Sequence, residues 1–383
     1  MTLQENFNFI RQASEALCKP LLTEDYSVQP SAFASPPKWH LAHVTWFWEL
    51  FVLSEYLPGY EVFNEEFSFL FNSYYNNVGK RVLRPVRGLM TRPSVEEVYR
   101  YRAYVNEYMN ALFGKDLSDE LIATIAIGLN HEQQHQELSM YDIKYILGNQ
   151  PLFPAYDSAV FTFEKVASDT KFHKIDAGVY EIGHDGKGFA FDNESGRHKT
   201  YIHDFEIADQ LVSNAEYLEF INAGGYSDFN FWHDEGWQWV SSNQINAPLY
   251  WHEIEGNWHY YDLGGLQKVA ADEPVKHISF YEAFAFAQWK GMRLPTEAEW
   301  EVASSKFKWG QLWEWTNSAY LAYPGYAKPP GAIGEYNGKF MINQMVLRGA
   351  SVATPKGHSR DTYRNFFHPD MRWQYNGIRL VKN

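Results

Sequence analysis

Two histidines four residues apart, His131 and His135, lie inside an unbroken helical pattern, and that pair limits what the chain can build. Residues four apart share one helix face. Two imidazoles at this spacing can therefore point at one ion and make half of a metal site. The pattern runs from Leu121 to Leu147. Ile127, His131, His135, Leu138 and Asp142 recur at three- and four-residue steps, and Gly148 then Pro151 end the run. Two histidines on one helix do not close a site, so the remaining ligands must come from another element.

The rest of residues 1–150 offers such neighbours. One helix is expected from about Thr2 to Ala16, and another from about Leu41 to Leu57 with His43, Phe47, Leu50 and Ser54 on one face. A third opens at Ser94, with Glu97 three residues on as a capping box, and ends at Gly114. With the histidine helix these predict a four-helix, up-and-down bundle whose interior can hold a metal. The stretch from Pro58 to Pro93 is too long for an ordinary turn, and structured loops of that length are often functional.

After Pro154 the texture changes. Short β-type runs, Lys174–Ile182 and Thr200–Ala208, alternate with helix starts marked as capping boxes by Ser213/Glu216, Ser279/Glu282 and Thr296/Glu299. Gly224, Gly225 and Gly291 follow the apparent helix ends. Residues 171–383 are expected to form a loop-rich α+β domain, joined to the bundle (1–150) by a linker at 151–170.

Charge and cysteine usage exclude several function classes. A formal charge of −14 with no compensating basic stripe argues against a nucleic-acid backbone partner. The single cysteine, Cys18, rules out an intrachain disulfide framework and a zinc–thiolate cluster. No apolar run of about 18 residues exists to span a membrane. With no basic, apolar-cored leader at the N-terminus, a cytoplasmic location is expected. Nothing in the sequence speaks to oligomeric state.

The third ligand is sought at the entry of the second helix, in Lys38-Trp39-His40-Leu41-Ala42-His43. His40 and His43 differ by roughly 60° around the helix axis, so both can approach the interior. Periodicity favours His43, which continues into Phe47 and Leu50. His40 is expected to be a capping or core-edge histidine. Three imidazoles without a carboxylate leave an ion its full charge and open positions. Zinc there would give hydrolysis and ferrous iron would give oxygen chemistry, and imidazole suits both. The same residues spell H-E-x-x-H, in which Glu132 would be the base of a zinc hydrolase. Gln133, Gln134 and Gln136 instead give the helix an amide-rich character suited to holding a small polar ligand.

Several longer motifs resemble a known family. Ser35-Pro36-Pro37-Lys38-Trp39-His40-Leu41-Ala42-His43, Asn72-Ser73-Tyr74-Tyr75-Asn76 and the His131–His135 helix are similar to the N-terminal DinB-like bundle of ergothioneine-biosynthetic sulfoxide synthases. Arg293–Glu301, Trp313-Glu314-Trp315-Thr316, Gly334–Phe340 and Tyr363-Arg364-Asn365-Phe366-Phe367 resemble their C-terminal domain, of the formylglycine-generating-enzyme (sulfatase-modifying) type with a C-type-lectin-like fold. The resemblance covers nearly the whole chain, with its motifs in order. One departure is plain: formylglycine-generating enzymes use cysteines of their own, and Cys18 lies outside that domain.

The resemblance implies a non-haem Fe(II) enzyme that joins a thiol to the imidazole C2 of hercynine (Nα-trimethylhistidine), using O2 to make a C–S bond and a sulfoxide. It implies His43, His131 and His135 as iron ligands and Gln134 as a partner of the hercynine imidazole. Tyr74 and Tyr75 match the tyrosine pair of the branch using free cysteine, where a phenol supplies a proton; either could serve. Arg84 and Arg87, in a basic cluster with Lys80 and Arg81, are expected to clamp the carboxylate of the thiol substrate. Asn365, Phe366 and Phe367 stand where the branch using γ-glutamylcysteine has Asn-Trp-Asp. Phe367 replaces the acid, and a ring can face a trimethylammonium by cation–π attraction. L-cysteine is therefore the expected sulfur donor. Alternatives are γ-glutamylcysteine, an ovothiol- or selenoneine-type variant, a zinc hydrolase and a non-catalytic lectin-like module.

Overall fold

Ser118 caps the helix that carries the histidine pair: its side chain accepts from Leu121 N, and Asp119 and Glu120 complement the positive end of the helix. In the computed structural model, which describes residues 1–73, 79–157, 161–328 and 337–382, this helix is Asp119–Gly148, 30 residues long, or about 45 Å. With Leu3–Cys18 (α1), Pro37–Trp48 (α2) and Val95–Leu112 (α3), it is α4 of a bundle in which α1 packs on α4, and α2 on both α3 and α4. Gly128 lets the helices approach, because a Cβ there would meet Trp48 Cη2 at 2.6 Å. Phe7, Trp46, Trp48, Tyr101, Val105 and Ile125 fill the bundle core.

The second helix differs from expectation at its start and within its length. It begins earlier, at Pro37, whose fixed φ suits a first helical position. It then changes at Glu49–Leu53 into a π-helical turn before a last short turn, Ser54–Tyr56. Glu49 at that turn accepts from Tyr60 OH, Phe63 N and Tyr101 OH at 2.6–2.9 Å, tying the start of the 58–93 loop to the bundle. The loop holds a short helix, Phe67–Phe71, and a 3₁₀ turn, Arg84–Leu89. Gln29 clamps that turn, donating to the Arg84 carbonyl (2.7 Å) and accepting from Gly88 N (2.6 Å).

The remainder is rich in short strands. One four-stranded sheet is ordered Phe172–Ile175, Phe205–Ala208, Val381–Lys382, Met292–Arg293, and a second Asn365–Phe367, Met345–Gly349, Trp313–Ala319, Asn376–Gly377. Both β-type runs expected from sequence are broken. Lys174–Ile182 divides into Phe172–Ile175 and Gly178–Ile182, and Thr200–Ala208 into His198–Ile202 and Phe205–Ala208. In each, one strand joins the first sheet and the other forms a separate hairpin. Apolar alternation reports a half-buried strand but not which partner it pairs with. The capping boxes at Ser213, Ser279 and Thr296 are present with both hydrogen bonds. At Ser94 the side chain accepts from Glu97 N.

The C-terminal half of α4 is buried in the sheet-rich part. Met140 and Tyr141 share a core with Phe163, Leu211, Leu263, Leu312, Trp373 and Tyr375. Glu137, buried, accepts from Trp313 Nε1, Ser351 Oγ, Thr354 Oγ1 and the Tyr141 hydroxyl. Lys144 donates to Asp262 Oδ1 and lies 2.9 Å from His277 Nε2; burial pulls its pKa down to about 8, against the opposing pull of Asp262. One helix thus runs through the core of both parts.

Candidate metal centre

His43, from α2, and His131 and His135, from α4, converge so that one ligand atom of each lies within 4.8 Å of the others. It is the one such grouping found among the described residues. Helix geometry brings His131 and His135 together; packing of α2 on α4 adds His43. His43 and His131 are buried, while His135 is half-buried and lines a cavity. His43 Nδ1 donates to the Phe71 carbonyl at 2.6 Å, leaving Nε2 buried with no hydrogen-bond partner among the described residues. A buried imidazole nitrogen without a partner suits a metal cation.

Electrostatics keep the three rings neutral. Burial is the main cause for each. It drives His43 and His135 well below the ordinary histidine range, with His131 adding to the effect, and brings His131 down to about 3. Neutral imidazole is the metal-binding form. The donor set therefore fits a divalent cation that accepts nitrogen ligands.

Glu132 points elsewhere. One residue from His131, it turns about 100° around the helix into the bundle core. There it pairs with Arg11 (3.0 Å) and Arg102 (3.3 Å) and accepts from Trp48 Nε1 (2.8 Å) and Ser14 Oγ (2.7 Å). Burial alone would raise its pKa, but Arg11 and Arg102 hold it down at about 2. The carboxylate is a fixed anion within the bundle, not a base beside the metal, which removes the chemistry of the H-E-x-x-H hydrolase.

The cavity beside His135, about 700 Å³, is lined from both parts of the chain. Arg84, Arg87, Gln134, Asn365, Phe366 and Phe367 all line it, as do Arg81, Ser73 and Tyr363. Arg87 is buried; its Nη1 donates to Ser35 Oγ and its Nη2 to Ser73 Oγ, at 2.9 and 3.1 Å. Its guanidinium sits 3.3 Å from the Trp39 ring centre, and Trp39 in turn stacks on His43 at 4.5 Å. Arg81 donates to the Ser73 carbonyl. Gln134 Nε2 donates to the Tyr363 hydroxyl. Phe366 stacks on Tyr320 at 4.0 Å, and Phe367 meets Trp373 edge-on at 5.1 Å. Asn365 Oδ1 accepts from Phe366 N. Tyr74 and Tyr75 lie outside the described residues.

His40 is not the core-edge histidine expected. Its Nδ1 is 2.8 Å from His135 Nδ1 and its Nε2 is 2.8 Å from Asp142 Oδ2. Burial lowers its pKa despite Asp142. A signal for this was present, since Asp142 continues the face of His131 and His135. Nothing local marked Tyr363, Trp39 or Tyr320 as members of the site.

The chain is similar to known proteins along most of its length. Residues 6–139 match the DinB superfamily and residues 158–311 the sulfatase-modifying factor enzyme 1-like domain. Along 92% of its length the chain is 27% identical to the hercynine oxygenase of Mycolicibacterium smegmatis, covering 92% of that protein. The chain is a relative of the hercynine oxygenases. The enzyme of that name from Mycobacterium tuberculosis is also 27% identical, with 91% of each chain covered. The formylglycine-generating enzyme of Mus musculus is 30% identical over 200 residues, which is 49% of this chain and 52% of that one. Similarity to the oxygenases runs through both parts, so the relationship is to whole enzymes, and the chain is an enzyme and not a lectin-like binding module. Cys18, the one cysteine, is buried in the bundle, and burial pushes its thiol up to about 12. Cysteine chemistry of the formylglycine-generating kind has no residue to carry it. No helix among the described residues is long and apolar enough to cross a membrane.

Proposed function

We propose that this chain is an iron(II)- and O2-dependent sulfoxide synthase of ergothioneine biosynthesis, joining L-cysteine to hercynine to give hercynylcysteine sulfoxide. The observation that carries the reading is a carboxylate-free triad, His43, His131 and His135, beside a cavity lined by both parts of a hercynine-oxygenase relative. The reaction balances. Hercynine loses one C–H and cysteine its S–H, one C–S bond forms, one oxygen of O2 enters the sulfoxide, and the other leaves as water. These are two two-electron oxidations matched by four-electron reduction of O2.

His43, His131 and His135 would hold the iron. When bound, Fe(II) supplies the reduction of O2 beside an anionic sulfur, whose charge compensates for the missing carboxylate. Arg87, held by Ser35, Ser73 and Trp39, and Arg84 present guanidinium groups suited to the cysteine carboxylate. Gln134 offers its amide to the hercynine imidazole. The aromatic wall of Phe366 and Phe367, with Asn365, suits a trimethylammonium. Phe367 offers no anion to the ammonium of a γ-glutamyl group, which favours free cysteine. Tyr74 and Tyr75 stand, by sequence, where a phenol can donate a proton.

The test is anaerobic loading with Fe(II), then O2 uptake with cysteine, with and without hercynine, and product mass. Uptake that ignores hercynine would sink the synthase reading, and a preference for γ-glutamylcysteine would overturn the donor. Replacing Tyr74 and Tyr75 together by Phe should divert turnover toward cysteine sulfinate.

A further inference from the structure

Behind His135 runs a chain of hydrogen bonds that metal ligation alone does not require. Asp142, two turns further along α4, is fully buried. Its Oδ1 accepts from Trp373 Nε1 at 2.9 Å, and its Oδ2 from Ser35 N at 2.8 Å. The third group on the carboxylate is His40 Nε2, 2.8 Å from Oδ2. A carboxylate only accepts, so His40 carries its hydrogen on Nε2. A neutral His40 then has a bare Nδ1. That nitrogen faces His135 Nδ1 at 2.8 Å. Two nitrogens at this distance share one hydrogen, and it must come from His135.

We propose that His40 is a positioning residue for the metal centre: with Asp142 and Trp373 it forms a relay that holds the hydrogen of His135 on Nδ1 and leaves Nε2 bare for the ion. The inference rests on His135 being a metal ligand, as in the proposed function. Histidine ligands are commonly oriented by a carboxylate or carbonyl on the second ring nitrogen, which is how the Phe71 carbonyl acts on His43. For His135 a second imidazole is inserted between ligand and carboxylate. The far end of the relay, Trp373, belongs to the sheet-rich part of the chain. The second half of the protein therefore contributes to the donor nitrogen of a ligand from the bundle.

The relay has a direction that two substitutions separate. His40→Phe keeps an aromatic ring of similar shape and leaves Asp142 its bonds to Ser35 and Trp373, but removes the acceptor for His135. His40→Gln restores the polarity, since an amide oxygen can accept from His135 while its NH2 donates to Asp142. The experiment has two readouts, neither of them turnover. Nitrogen-15 spectra of histidine-labelled, metal-free wild type, with the His135 signals identified through His135→Asn, should show the hydrogen on Nδ1. Anaerobic Fe(II) titration should show affinity falling roughly 10- to 100-fold in His40→Phe and returning to within a few-fold of wild type in His40→Gln. A hydrogen on His135 Nε2, or equal affinities in the two variants, would overturn the relay while leaving the metal centre standing. A wild type that binds no Fe(II) would overturn the metal centre and this inference with it.

Discussion

The amide of Gln134 donates from Nε2 to the Tyr363 hydroxyl at 2.6 Å, across 229 residues of sequence. It joins the helix of the histidine pair to the motif that ends in Asn365-Phe366-Phe367, at the wall of one cavity. Burial raises the Tyr363 phenol, so the group stays neutral. Tyr363→Phe should leave the fold intact and remove this hydrogen bond from the Gln134 amide. One neutral hydrogen bond contributes about 1 kcal/mol, so the KM for hercynine should rise about fivefold with the KM for cysteine little changed. Steady-state kinetics with each substrate varied separately provides the check, and equal rises in both constants would count against a role at the imidazole.

Arg87 supplies the complementary measurement. A lysine there loses both forked bonds to Ser35 and Ser73 and the flat contact on Trp39. Arg87→Lys should raise the KM for cysteine about tenfold, equivalent to about 1.4 kcal/mol, and spare the KM for hercynine. An unchanged cysteine KM would place the carboxylate elsewhere, with Arg84 and Arg81 the next to replace.

Glu132 separates stability from chemistry. Glu132→Gln leaves Arg11 buried without its counter-charge and Arg102 with Glu15 alone, which costs about 3–5 kcal/mol. The unfolding free energy from urea titration should fall by that amount, while Fe(II) stoichiometry and turnover per folded molecule stay near wild type. A base of the H-E-x-x-H type would show the reverse pattern, with normal stability and lost turnover.

The histidines make the metal-free protein sensitive to acid. His131 takes up a proton near pH 3 in the fold and near 6.5 in the unfolded chain. Between those values the unfolded chain binds more protons, so stability rises with pH and is lost as pH falls through the window. One such group contributes at most about 1.4 kcal/mol per pH unit. Glu132, held at about 2 against an ordinary 4.5, acts only below that higher value. The loss between pH 6.5 and 5 therefore reports on buried histidines. Urea midpoints of metal-free protein at pH 7.5, 6.5 and 5.5 should fall, and less steeply in His131→Asn. Parallel slopes would show that His131 titrates normally.

Sequence spacing alone determined whatever one helix can impose on its own residues. The pairing of His131 with His135, the caps at Ser213, Ser279 and Thr296, and the place of Asp142 on the histidine face follow from 3.6 residues per turn and from bonds spanning three residues. Tertiary structure decided everything that depends on which surfaces meet. It sent Glu132 toward Arg11 and Arg102, split each β-type run between two sheets, and set His40 between His135 and Asp142. It also brought Trp373 to Asp142 across 231 residues. The reason is one of range: rotation along a helix is written in consecutive residues, whereas a buried polar group takes whatever partner packing delivers, and no local pattern encodes that partner.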